Sequence, residues 1–218
     1  MANSPMYRGA EKILTVKQAI PRLGVKETQS VVNTIANKSL YTVKDNYFKI
    51  SMEKLWLHSL ASANVASAIA RRLVLGDVEK FFFMGLIHDI GKVLLLKVFG
   101  DIHSKYNSLD IKEVTTGVQE VHTSFGGAIL RKWGFSEEFA RIALLHEGPK
   151  FRPGTDNEIL SINFASNIAA KIGYDLFDGE EVELPSLDSA RLLNIESKKI
   201  DALCNELKKQ MQETSNIF

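Results

Sequence analysis

An adjacent histidine and aspartate, His88-Asp89, lie inside the apolar run Gly85-Leu86-Ile87-His88-Asp89-Ile90-Gly91-Lys92. Polar and charged groups in such a wall lose solvation unless a partner satisfies them. A metal ion or a hydrogen-bonded neighbour would do so. His58, His122 and His146 each recur with apolar residues at helical spacing: with Leu55, Val65, Ile69 and Leu73; with Ile129, Leu130 and Trp133; and with Phe139, Ile142 and Ala143. Neutral imidazole is a common ligand for divalent transition metals, and an adjacent carboxylate extends the choice to Mg, Mn or Fe. For any single histidine the plain alternative is a core imidazole bonded to backbone. Four at once, one followed by Asp, favour a shared site. His103 fits no apolar face and is expected at the surface. Lys92 reads, on its own, as a solvated lysine at a helix start.

The elements that must carry these residues are helical almost throughout. Thr15 with Gln18 forms a capping box for a short helix interrupted by Pro21 and ended by Gly24. Val31, Val32, Ile35 and Ala36 mark a second helix, and residues 41–50 have no period and read as a loop. Ser51 is predicted to cap a long helix bearing His58, whose small residues Ala61, Ser62, Ala63 and Ala66 would let a neighbour pack close. Asp77 caps the next helix, through His88, and Gly91 is expected to break it before Val93–Val98. A helix from about Asp110 carries His122 and ends at Gly134; Ser136 caps the helix of His146; Ile159–Ile172 is closed by Gly173. Residues 175–186 are acidic and irregular, and 187–218 form an amphipathic helical tail with frayed last residues. The expected fold class is all-α, a compact multi-helix bundle, with sites built from side chains on facing helices.

Composition narrows the function. The 218 residues suit one domain with a sizeable core. A net charge of +1, with both signs interspersed, argues against nucleic acid and against a membrane surface. No apolar run approaches the roughly 20 residues that span a bilayer. The single cysteine, Cys204, excludes an internal disulfide framework and suits a reducing compartment. The N-terminus lacks a signal-peptide pattern, so the expected location is cytoplasmic.

The order His58, His88-Asp89, His122, His146 resembles the HD superfamily of metal-dependent phosphohydrolases, and more closely its HDOD branch, a bacterial-type signalling module. The matching segments are Asn3-Ser4-Pro5, Ala19–Gly24, Trp56–Ser59, Gly85–Lys92, His122 through Trp133, Ala143–His146 and Ala165–Ala169. The resemblance implies an HD-type bundle over 1–218. It also implies a divalent metal (Fe, Mn, Mg, Ni or Zn) at His58, His88 and Asp89, with His122 and His146 for a second metal or for phosphate, and Lys92 as a point-charge contact for phosphate. In active relatives a distal Asp completes the set; here that position is Ser166. Leu145-His146 stands where the cyclic-dinucleotide branch carries paired histidines, and Glu147-Gly148-Pro149 lacks that branch's Gly-Tyr-Pro signature. Helices that usually precede Asn-Ser-x in the family have no counterpart before residue 3, which leaves a fragment or a displaced family match as expectations; missing helices would leave a core face for a partner or a second copy to cover. The implied function is a regulatory module with a degenerate, metal-poor site, binding a small phosphorylated ligand, a signalling partner or a second copy. The alternative is a phosphohydrolase of nucleotides or cyclic dinucleotides.

Overall fold

The computed structural model describes residues 16–24, 34, 36–106, 109–148, 150–176 and 182–215. Among these there is no strand. The helices are α1 (Val16–Leu23), α2 (Asn46–Leu73), α3 (Val78–Ile87), α4 (Ile90–Tyr106), α5 (Ile111–Lys132), α6 (Glu137–Leu145), α7 (Asn157–Lys171), α8 (Asp188–Leu192) and α9 (Ser197–Ser215). The all-α class is as expected. Thr15 of the capping box, Asn3-Ser4-Pro5, Val31, Val32 and Ile35, and residues 216–218 lie outside the described residues.

Two boundaries differ from the sequence reading. The expected loop 41–50 already contains the start of α2, capped by Asp45 rather than Ser51. Asp45 Oδ1 accepts from the backbone N–H of Tyr47 at 2.8 Å and of Phe48 at 3.3 Å, satisfying amides that the first turn leaves orphaned. Buried Phe48 and Met52 extend the face of Leu55 backward, a period too short to detect inside 41–50. The second difference is the break at His88-Asp89, ahead of Gly91. Gly91 continues α4 and serves close approach instead: a Cβ there would lie 2.0 Å from the carbonyl oxygen of His122.

α2 is the axis of the bundle and packs chiefly on α3 and α7, while α5 packs between α4 and α6. Its small residues work as expected, since a Cβ on Gly85 of α3 would meet Ala63 Cα at 2.6 Å. One buried cluster runs from Phe48, Met52 and Leu55 to Ile90, Val93 and Leu96. A second joins Val65 and Ile69 to Ile162, Phe164 and Ile168. The C-terminal α9 buries Ile200, Leu203, Leu207 and Met211, so its apolar stripe belongs to the core. Burying a side chain of this size contributes roughly 1.5–3 kcal/mol. No described helix is long and apolar enough to cross a membrane.

Candidate metal centre

The four histidines come from α2, α5 and two helix ends. His58 lies mid-α2 and His122 on α5, whereas His88 is the C-cap of α3 and His146 the C-cap of α6. All four are buried. The structure brings them together around Asp89, which occupies the break between α3 and α4.

Every ring is oriented the same way. Nδ1 of His58 faces the carbonyl of Tyr174 at 2.7 Å, and His88 that of Gly85 at 2.7 Å. His122 faces Gln119 O at 2.8 Å and His146 faces Ala143 O at 3.1 Å. A carbonyl only accepts, so each Nδ1 carries the proton and donates it. Each Nε2 is therefore a bare lone pair, and all four point at the Asp89 carboxylate. The separations are 3.2 Å from His146 and 3.6 Å from His122 to Oδ1, and 3.5 Å from His88 and 3.8 Å from His58 to Oδ2. Nε2 of His88, His122 and His146 have no hydrogen-bond partner among the described residues. Acceptor facing acceptor in a buried site is costly, and a cation between them removes the cost.

Protonation follows burial. Burial drives His88 down to about 3, and it lowers His58 as well. Both are neutral imidazoles at pH 7, the form that ligates metal. Burial alone would raise the Asp89 carboxyl, but the charge of Lys92 outweighs it and holds it well below the carboxylate range. Burial alone would lower Lys92, but Asp89 and Glu147 outweigh it and raise its pKa.

Lys92 is thus not the solvated lysine that was one reading of the sequence. It is buried, with Nζ 3.1 Å from Asp89 Oδ1, 3.2 Å from Oδ2 and 2.9 Å from Glu147 Oε1. Glu147 was missed as a site residue and entered only as a departure from a signature. Its Oε1 lies 3.4 Å from His122 Nε2 and 3.7 Å from His146 Nε2, and its Oε2 accepts from Gln119 Nε2 at 2.8 Å. Burial would raise this carboxyl; the charge of Lys92 prevails and lowers it. The available signal was a carboxylate following the last histidine at a helix end. Ser166 sits where the resemblance places the distal ligand, with Oγ 3.2 Å from His58 Nε2.

These groups fit a divalent ion. Ligand atoms of His58, His88 and Asp89 lie within 4.8 Å of one another, as do those of Asp89, His122, His146 and Glu147. The carbonyl acceptors behind each ring are the usual supports of metal-binding imidazoles. An ion held there would polarise a phosphoryl oxygen and lower the pKa of bound water. The centre opens into a cleft of about 1150 Å³ walled by Thr115, Thr116 and Gln119 of α5, Asn167 of α7, and Asp175. His103 takes no part. It is buried on α4, its Nδ1 3.0 Å from Asp45 Oδ2. The expectation of a surface position failed because α4 runs on to Tyr106 and carries His103 against the cap of α2.

An all-α bundle with imidazoles converging on a His-Asp doublet is an HD-type arrangement. The HDOD domain profile matches residues 1–149, and the chain belongs to the HDOD family. No curated protein matches it. Among solved structures it is similar to an HDOD domain protein of unknown function from Geobacter sulfurreducens. That match has 21% identity and a TM-score of 0.72, and covers 97% of this chain and 78% of that one. It is also similar to a candidate metal-dependent phosphohydrolase from Shewanella amazonensis SB2B, at 18% identity and TM-score 0.68, covering 96% and 77% of the two chains. A third likeness is to a candidate signal transduction protein from Marinobacter aquaeolei VT8, at 16% identity and TM-score 0.69. It covers 99% of this chain and 49% of that one, so this chain spans about half its length. At these identities the likenesses establish the fold.

Proposed function

We propose that this chain is a regulatory signal-transduction module that binds a small phosphorylated ligand, a signalling partner or a second copy, and does not turn over phosphodiesters. The observation that carries the reading is Ser166. Its neutral hydroxyl stands 3.2 Å from His58 Nε2, where the family resemblance expects a carboxylate. Hard divalent ions are held by anionic oxygens, and of the two carboxylates at the centre, both are already paired with Lys92. The site therefore holds an ion loosely, through His58, His88 and Asp89. We read residues 1–218 as one domain, in a cytoplasmic protein.

The second reading, a metal-dependent phosphohydrolase, draws support from the Nε2 atoms of His88, His122 and His146, which have no hydrogen-bond partner among the described residues. One experiment separates the two. Purified protein is assayed on cyclic dinucleotides and simple phosphodiesters with excess Mn, Mg or Fe(II), beside Asp89→Ala. The regulatory reading expects no turnover. Turnover on the order of 1 per second that vanishes in the variant establishes the hydrolase.

A further inference from the structure

We infer that the Lys92 ammonium is the resident cation of the second ion position and limits the centre to one divalent ion. The inference rests on the loosely held single ion of the reading above and explains what stands opposite it.

Four ligand groups, Asp89, His122, His146 and Glu147, form a compact set within 4.8 Å of one another. All of their facing atoms are acceptors: two carboxylate oxygens and two Nε2 lone pairs whose ring protons are spent on Gln119 O and Ala143 O. Such a set demands positive charge. The charge present is the Lys92 ammonium, 3.1 Å from Asp89 Oδ1 and 2.9 Å from Glu147 Oε1. Lys92 reaches it from the first turn of α4, three residues after Asp89, with its side chain 8% exposed. A dication entering this set would stand at hydrogen-bond range from a fixed positive charge, and the two repel strongly away from water. The ammonium compensates the carboxylates yet hydrogen-bonds neither His122 Nε2 nor His146 Nε2, which have no hydrogen-bond partner among the described residues. The imidazoles are therefore available to an ion as soon as the ammonium is removed. His58 and His88 face the other oxygen of Asp89, Oδ2, and Ser166 Oγ bonds His58 Nε2. Lys92 also lies 3.2 Å from Oδ2, but its nearer partners, Asp89 Oδ1 and Glu147 Oε1, belong to the second set, so that set is the one it blocks. A single-ion centre also lacks the paired clamp on attacking and leaving oxygens that two-metal phosphoryl chemistry uses.

The test counts ions. Wild type, Lys92→Met and Lys92→Gln, each over residues 1–218, are titrated with Mn(II) by calorimetry, and the bound spins are examined by electron paramagnetic resonance. Circular dichroism checks that each variant is folded; Lys92→Gln keeps a polar head should the Met variant aggregate. The expected result is one more ion per chain in the Lys92 variants than in wild type. Two ions sharing Asp89 should show exchange coupling. Adding Glu147→Gln to Lys92→Met should weaken the extra ion about tenfold, equivalent to about 1.4 kcal/mol, and leave the first in place. An unchanged ion count in both Lys92 variants overturns the inference, as does a wild type that already binds two. Phosphodiester turnover by wild type would defeat the regulatory reading without altering these counts, so the two failures are distinguishable.

Discussion

Replacing Gly91 by alanine should both destabilise the bundle and loosen the centre. The added Cβ would lie 2.0 Å from the carbonyl oxygen of His122, 2.8 Å from its carbonyl carbon and 3.0 Å from Gly126 N. Ordinary contact begins near 3.4 Å, so α5 must retreat from α4 by roughly an ångström or more, because interiors at crystal-like density cannot absorb the overlap. Overpacking costs typically about 1–3 kcal/mol. The obstacle is backbone rather than a mobile side chain, which puts this site near the upper end, about 3 kcal/mol. For a domain of this size that is roughly 6–12 °C in melting temperature. His122 moves with α5, so Mn(II) affinity should also fall. Two further glycines calibrate the effect. A Cβ on Gly126, across the same contact, meets Gly91 N at 3.2 Å and Ala143 Cβ at 3.4 Å, so Gly126→Ala should cost under about 1 kcal/mol. A Cβ on Gly117 of α5 meets nothing within 4 Å, and Gly117→Ala should stabilise by up to about 1 kcal/mol through helix propensity. Scanning calorimetry of the three variants reads the order directly. A Gly91→Ala protein that melts within a degree of wild type, or above Gly126→Ala, would refute the α4–α5 contact as the reason for that glycine.

Ser166→Asp should tighten Mn(II) binding about tenfold or more by restoring an anionic oxygen beside His58; calorimetry showing no gain would remove position 166 from the ligand set. Asp89→Asn should lower stability by about 3 kcal/mol even in chelator-treated protein, because it strips one carboxylate from a buried ammonium; equal melting of the two proteins would contradict the Lys92–Asp89 pair. Stability should fall on acidification through His88, whose folded pKa is pushed down to about 3, against about 6.5 in the unfolded chain. Between those values the unfolded state binds the extra proton, so stability rises with pH across the window and is lost as pH falls from about 6.5 toward 3, by up to about 1.4 kcal/mol per pH unit for this one group. Asp89, held below its ordinary range, adds a loss of the same sign at lower pH. Urea unfolding at pH 7 and pH 4.5 checks this, and equal midpoints would mean that the ring is not buried neutral.

Much of the centre was legible because helical periodicity is local. Leu55, His58, Val65 and Ile69 share a face whatever packs on it, and the same holds for Ile142 and His146. The sequence reading went wrong where a boundary depends on a tertiary contact. Gly91 has the composition of a helix breaker, yet it is helical because His122 requires the space above it. His103 has no periodic companion, yet it is buried because Asp45 needs a partner at the start of α2.

The sequence by itself determined the all-α class, the order of the four histidines along the chain, the His-Asp doublet and the hydroxyl at Ser166, since each is a matter of residue type and spacing along one helix. Only the tertiary structure decided how the charges are arranged. Lys92 meets Glu147 across 55 residues, and His58 is oriented by the carbonyl of Tyr174 across 116. Those distances depend on where helix ends come to rest against one another, and residue spacing carries no record of that.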